Sequence, residues 1–394
     1  MELVVVVPTR NRAEIARNAI RSVLDEDLDG VQVMVSDNST SEPEREDLAR
    51  FCSTLNVRYV RPPQSLAMPA HWEWAIEKAL AFYDANHFSY LTDRMMFKTG
   101  GLKEVLDVAA RYPNKVISYN HDRIVDHVRP IHVDHYPATA KLWEVPTERL
   151  SWLVSQGALH HGLPRMLNCV VPRAVFERFK TRFGNVFASI APDFNFCFRC
   201  LDLEESILFL DKSPMFHYAL NRSNGASVSR GEMTADNADF TANLPVDNSS
   251  RNYATPIPQL NTAVNAVFNE YLIYKQQTMS PRFFDIDFQK YLEINAVEIT
   301  EVSDPRLKAE MHSLLEQHGY RESRSSPPGD ENRQNLLKRA RSFIGRLKTP
   351  PASPVIEFTD LDDAIDYVRN SSRSTPQSSD AVRELLHARE LPLQ

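Results

Sequence analysis

Cysteine is scarce in this chain of 394 residues. Cys52, Cys169, Cys197 and Cys200 are too few and too scattered for a disulfide framework, so a reducing, cytoplasmic setting is expected. Cys197-x-x-Cys200 has no second pair, which makes core packing its default role. No apolar run approaches the length of a membrane span, and the first one, broken by Pro8 and Arg10, is too short for a signal sequence. Basic charge is not in excess either. The formal net charge is -7 and the pI about 6.0, which excludes a general nucleic-acid binder. There is no Gly-x-Gly-x-x-Gly loop and no internal repeat. What is left is the expectation of a soluble protein with one large domain and an appendage, or two domains.

The opening of the chain is informative. Leu3 to Val7 is an unbroken apolar, β-branched run, the signature of a strand buried on both faces of a parallel sheet. It leads through Pro8-Thr9-Arg10-Asn11-Arg12 into Ala13 to Leu24, where Ile15, Ala16, Ala19, Ile20, Val23 and Leu24 keep a helical period. Val31 to Val35 is a second apolar strand, ending in Ser36-Asp37-Asn38-Ser39-Thr40. This is one β-α-β unit whose strands end in polar clusters, where open α/β sheets bind ligands. A generic Rossmann-like unit with solvated strand ends accounts for the same pattern.

"VVVVPTRNRAEIARNAIRSVL" followed by "VQVMVSDNSTSE" resembles the opening of the family 2 glycosyltransferases. The resemblance implies an α/β fold: a GT-A-like, Rossmann-type mixed sheet flanked by helices, here with a helical carboxyl-terminal extension. It also implies a nucleotide-sugar donor, with Pro8, Thr9, Arg10 and Arg12 lining the nucleotide pocket and Asp37 and Asn38 at the base and ribose. Met68-Pro69 opens a helix similar to the one under the family's donor site. His71 stands on it where many relatives carry Asn, and is read either as a donor contact or as a packing residue.

Phe88 to Leu91 is the next buried strand, ending in Thr92-Asp93-Arg94. The family's Asp-x-Asp motif falls here, and its carboxylates hold the ribose and a divalent cation, Mn²⁺ or Mg²⁺, which stabilises the departing diphosphate. This chain keeps Asp93 and lacks the second Asp. One carboxylate beside a guanidinium is a poor site for a hard cation. Three readings stay open: Arg94 replaces the metal at the diphosphate, donor binding is lost, or Arg94 salt-bridges Asp93.

Thr99-Gly100-Gly101-Leu102 turns into a helix to Arg111, as in the family. His121 to Trp143 is rich in His, Asp and Arg, and its alternation suggests a hairpin with one wet face. Ile190-Ala191-Pro192-Asp193 precedes a helix expected from Cys197 to Leu203. By resemblance Asp193 is the general base on the acceptor hydroxyl of an inverting transfer, a role in which the helix amino end favours its charged form; capping the helix is the plainer alternative. His217 and Arg222, after a short strand Ile207 to Leu210, fit the family's place for groups near the diphosphate.

Four regions are expected: a GT-A-like domain over 1–230, a lid loop and helical extension over 231–320, a linker over 321–334, and a basic amphipathic helix with a helical tail over 335–394. Asn335 to Lys348 could lie on the inner face of an anionic membrane or dock on the protein itself. The function expected is transfer of a sugar to an acceptor hydroxyl of a glycan, lipid-linked sugar or protein. The alternative is a non-catalytic carbohydrate- or partner-binding protein that kept the fold.

Overall fold

The computed structural model describes residues 2–232, 234–242, 253–321, 356–371 and 375–393. Its centre is β1 (Leu3–Thr9), buried along its whole length. After α1 (Ala13–Leu24) comes β2 (Val31–Asp37), then α2 (Glu42–Thr54), β3 (Arg58–Val60), α3 (Met68–Phe82) and β4 (His87–Tyr90). β2 and β4 flank β1 and run parallel to it, and β3 runs parallel to β2. Period-two alternation sends Val4 and Val6 to one face of the sheet and Leu3, Val5 and Val7 to the other. Val4 and Val6 pack under α3, and Leu3, Val5 and Val7 under α1, so both faces of β1 are covered.

The chain continues through β5 (Met95–Phe97), α4 (Gly101–Arg111), β6 (Ile117–Val125), β7 (Ile131–Asp134), β8 (Pro137–Ala138), β9 (Leu142–Pro146), α5 (Thr147–Ser155), β10 (Cys169–Pro172), α6 (Arg173–Phe183), α7 (Pro192–Leu203) and β11 (Ser206–His217). β6 and β7 form the expected hairpin. β10 joins β4 to β6 by antiparallel pairing on both sides, which makes the sheet mixed. β11 is longer than the short strand expected: it pairs with β6 in two stretches, with a register shift between Leu210 and Met215. α7 begins at Pro192, not at Cys197, so Asp193 lies in its first turn. Cys197 and Cys200 are buried in the core, as expected.

Beyond β11 come α8 (Asn224–Arg230), α9 (Ala235–Ala242), α10 (Ala263–Thr278), α11 (Phe288–Ile299), α12 (Pro305–Gln317), β12 (Glu357–Phe358), α13 (Leu361–Asn370), β13 (Thr375–Pro376), α14 (Ser379–Leu386) and β14 (Arg389–Leu391). α9 occupies part of the stretch expected to be a long loop. α10 is no appendage, since Val267, Tyr271 and Tyr274 join the main core with residues of α3, α5 and α7. The tail is not purely helical: β12 pairs with β7, β13 with β8, and β14 covers the edge of β9. Among the described residues the largest sheet has twelve strands and no helix is long and apolar enough to cross a membrane. The basic stretch Asn335 to Lys348 and residues 322–334 lie outside the described residues.

Gly101 opens α4 against β11. A Cβ there would sit 2.1 Å from the carbonyl oxygen of Pro214, which already accepts the Lys98 N–H at 2.9 Å and is not free to turn away. Gly101→Ala is expected to destabilise the protein by about 1–3 kcal/mol, as overpacking does. Urea denaturation checks it, and an unchanged midpoint would contradict the contact.

Candidate functional site

The parallel register sets Thr9 beside Asp37 and brings the carboxyl ends of β1, β2 and β4 to one edge. There the Thr9 hydroxyl donates to Asp93 Oδ2 at 2.9 Å, and Arg12 Nη1 reaches Asp93 Oδ1 at 3.3 Å. Arg12 Nη2 also donates to the carbonyl of Arg222 at 2.6 Å, and Arg222 Nη2 to the carbonyl of Asn11 at 3.1 Å. Arg10 lies along the same edge. Its guanidinium reaches the Asn38 carbonyl at 3.2 Å and the Ser65 hydroxyl at 2.6 Å, and forks onto both oxygens of Asp239 in α9 at 2.5 and 3.0 Å. The Asn38 amide clamps Leu66 through donation to its carbonyl at 2.7 Å and acceptance of its N–H at 3.0 Å. Pro8 is buried in β1 opposite Ser36. Pro8, Thr9, Arg10, Arg12, Asn38, Asp93 and Arg222 are thus brought together.

Asp37 and His71 sit a layer deeper than the sequence reading has them. Asp37 is fully buried, and its oxygens accept the Ser39 N–H at 2.8 Å and the Tyr59 hydroxyl at 2.5 Å. Both are therefore engaged inside the protein. His71 Nε2 is 2.8 Å from Ser36 Oγ. Burial, helped by the Arg10 charge, lowers its pKa to about 3, so the ring is neutral. This geometry matches the packing alternative for His71.

Asp93 settles one of the three open readings of Arg94: its salt bridge is with Arg12. Arg94 is half-buried, its carbonyl accepts the Tyr218 N–H at 3.0 Å, and its charge acts on His217. As a cation site the edge does not fit. The one carboxylate expected to bind metal already holds a guanidinium and a hydroxyl, and hard cations need several oxygen ligands. Among the described residues no three His, Cys, Asp or Glu side chains are grouped to hold a metal ion.

His217 closes β11, and its ring centroid is 4.8 Å from that of His121. His121 is in turn 6.3 Å from His161, whose ring lies 4.1 Å from Tyr136. Burial holds all three imidazoles well below the usual histidine range; after burial the charge of Arg94 weighs most on His217, and Arg123 and Arg165 act on all three. Only His217 of this cluster carries a role in the sequence reading.

Asp193 is the second residue of α7; the cap position is held by Ala191. Here the structure corrects the electrostatic expectation. Burial raises the Asp193 pKa and outweighs the Arg165 charge and the backbone N–H groups at the helix start, which favour the anion. A carboxylate made more basic is better suited to taking a proton.

Glu270, in α10, has no role in the sequence reading, although a glutamate amid Val267, Phe268, Tyr271 and Leu272 on a helix is a visible anomaly. It is 1% exposed and accepts the Ser189 hydroxyl at 2.6 Å and the Ala191 N–H at 3.3 Å, which fixes the segment leading into α7. Burial raises its pKa from 4.5 to about 7. A carboxyl raised in the folded state contributes stability that is fully present below about pH 4.5 and is lost as pH rises through about 7. Glu270→Gln removes this dependence. Relative to the natural protein, the variant is expected to gain on the order of 3 kcal/mol between pH 4 and pH 8, read from urea denaturation at both pH values. Parallel stability curves would contradict this account of Glu270.

Residues 4–162 match the family model described as Glycosyl transferase family 2. No curated protein matches the chain. Among solved structures, S. aureus TarS 1-349 in complex with UDP-GlcNAc is similar at a TM-score of 0.43 and 12% identity, over 87% of this chain and 82% of that one. S. aureus TarS 1-349 in complex with UDP gives a TM-score of 0.43 and 11% identity, over 92% and 97%. At those values the likeness does not extend to ligands or activity. Thr9, Arg10, Arg12, Asp37 and Asp93 all lie within the stretch, residues 4–162, that matches the glycosyl transferase family 2 model.

Proposed function

We propose that this protein transfers a sugar from a nucleotide-sugar donor to an acceptor hydroxyl with inversion, and that Asp193 is the base. The observation that carries this reading is electrostatic continuity across the site. Arg165 acts both on Asp193 and on His217, and His217 also feels Arg94 beside the strand end that holds Asp93. A basic carboxylate and an anion-stabilising group thereby share one electrostatic neighbourhood. The nucleotide lies along Thr9, Arg10, Arg12 and Asn38, over the layer formed by Asp37 and His71. The diphosphate lies toward Arg94, His217 and Arg222.

In the reaction the acceptor oxygen attacks the anomeric carbon from the face opposite the diphosphate. The new C–O bond forms as the bond to the diphosphate breaks, the hydroxyl proton passes to Asp193, and the electron pair leaves with the nucleoside diphosphate. Guanidinium forks suit the charge that develops on the leaving group. No step is assigned to Mn²⁺ or Mg²⁺. The protein works in the cytoplasm, with peripheral membrane contact through 335–348.

A second reading, a non-catalytic carbohydrate- or partner-binding protein, is favoured by one observation: Asp93 and Arg10 are already paired with Arg12 and Asp239. Calorimetric titration with UDP, GDP, CDP and dTDP, each with Mn²⁺ and with EDTA, separates the two. Binding of one nucleotide that survives EDTA is the expected result, binding only with Mn²⁺ would put a cation back at Asp93, and no binding at all would favour the second reading. Asp193→Asn is expected to lower transfer at least about 100-fold and leave nucleotide affinity within about twofold. Arg94→Ala is expected to weaken nucleoside diphosphate binding about tenfold. Full turnover in the first variant would remove Asp193 as base, and unchanged affinity in the second would remove Arg94 from the diphosphate.

A further inference from the structure

Two buried carboxyls from different helices carry the segment that delivers Asp193. Glu73, on α3, accepts the Val186 N–H at 2.8 Å and the Phe187 N–H at 2.7 Å through Oε2. Glu270, on α10, accepts from Ser189 and Ala191 through Oε1. Between these anchors Ser189 is held at a φ of 65°, a left-handed conformation that a serine keeps only where its surroundings impose it. Asp193 follows two residues after Ala191, so its place depends on where α10 holds this segment.

The far oxygen of Glu270 is the unusual one. Oε2 is buried and has no hydrogen-bond partner, and neither has Oδ1 of Asn195, a buried residue of α7. The Asn195 side chain favours the Glu270 anion, yet in no geometry that satisfies either of those two atoms. Both are acceptors while Glu270 is ionised, and a proton on Oε2 makes one of them a donor. A buried acceptor left without a donor is costly, which is a geometric reason for Glu270 to keep its proton.

Titratable groups face Glu270 from several elements. Asp193 and Arg199 do so from α7, and Tyr253 from the chain before α10. Arg199, 6% exposed, donates to the Asn185 carbonyl at 2.7 Å and also feels Glu73 from α3 and Tyr274 from α10, while Arg165 acts on Asp193. The charge of Arg199 is thus shared between two carboxyls. Burial is the main reason that Glu270 holds its proton up to about 7, and the Asp193 charge adds to it. Repulsion between two carboxylates is mutual, so a charge on Glu270 in turn makes Asp193 a stronger base.

We propose that Glu270 is a positioning residue for the transfer and acts only through Asp193: it holds the approach to α7, and its own proton sets how basic Asp193 is. No contact with the substrate is assigned to it. The role in transfer rests on the reading of Asp193 as base; the coupling of the two carboxyls does not.

The test uses the full chain. Infrared difference spectra across pH follow the carboxyl band of Glu270, which Glu270→Gln identifies by removing it. Glu270 is expected to ionise near pH 7 in the natural protein. In Asp193→Asn, where the neighbouring charge is gone, its midpoint is expected at least about half a pH unit lower. Nucleoside diphosphate release from UDP-, GDP-, CDP- and dTDP-linked hexoses and N-acetylhexosamines, with water as acceptor, supplies the second readout. Its kcat is expected to rise with pH in two steps in the natural protein, the upper one at the Glu270 midpoint, and in a single step in Glu270→Gln. Glu270→Ala, which also frees Ser189 and Ala191, is expected to lower kcat about tenfold at every pH and leave KM within about twofold. The comparison of the natural protein with Asp193→Asn needs no change at Glu270, so a misfolded Glu270 variant does not remove the test. A midpoint that stays in place in Asp193→Asn would overturn the coupling, and an upper step that survives in Glu270→Gln would overturn the role in transfer. A midpoint that moves in a protein that releases no nucleotide from any of these donors would keep the coupling and remove the transferase reading.

Discussion

Asp93 is the point at which the site is tied together. Its carboxylate receives the hydroxyl of the β1 end and the guanidinium of the loop after it, and that guanidinium also holds the Arg222 carbonyl in the turn after β11. Three segments far apart in sequence meet on one buried acid. Side-chain exposure at the pair is 15% for Arg12 and 5% for Asp93, so neither charge is well solvated alone. Breaking a pair of this kind leaves a charge without compensation and costs about 3–5 kcal/mol. The same engagement makes Asp93 a poor cation ligand, and this side of the site offers a ligand guanidinium and hydroxyl groups.

That character runs against the chain as a whole, whose net charge is -7. The acidic excess lies elsewhere, and the interior of the site combines arginines with imidazoles kept neutral by burial. Alternation along β6 separates this face from another. His121 joins the cluster, while Asp122, its neighbour, accepts from Lys98 at 2.6 Å and pairs with His135 at 2.7 Å; the His135 ring lies against Tyr367 of α13.

The parts beyond the family match are structural members of the same body. α10 supplies Glu270, which anchors the approach to Asp193, and α9 supplies Asp239, which forks onto Arg10. β14 shields the exposed edge of β9, the kind of edge that otherwise invites pairing with another chain.

The opening β-α-β unit was legible in the sequence because its signals are local. A β-branched run, a 3.6-residue period and polar strand ends gave β1, α1 and β2 nearly to the residue, and α3, α4 and α12 likewise. Thr9, Arg12 and Asp93 were legible because parallel strands deliver their carboxyl ends to one edge whatever else the fold does. Tertiary structure decided what depends on distant neighbours: that Arg12, not Arg94, pairs with Asp93, that Asp37 and His71 turn inward, and that burial outweighs the helix end at Asp193. Glu270, Arg165 and His161 acquire their environments from chain segments tens of residues away. Charge, desolvation and hydrogen-bond satisfaction are properties of an assembled neighbourhood, and no local pattern in the sequence encodes them.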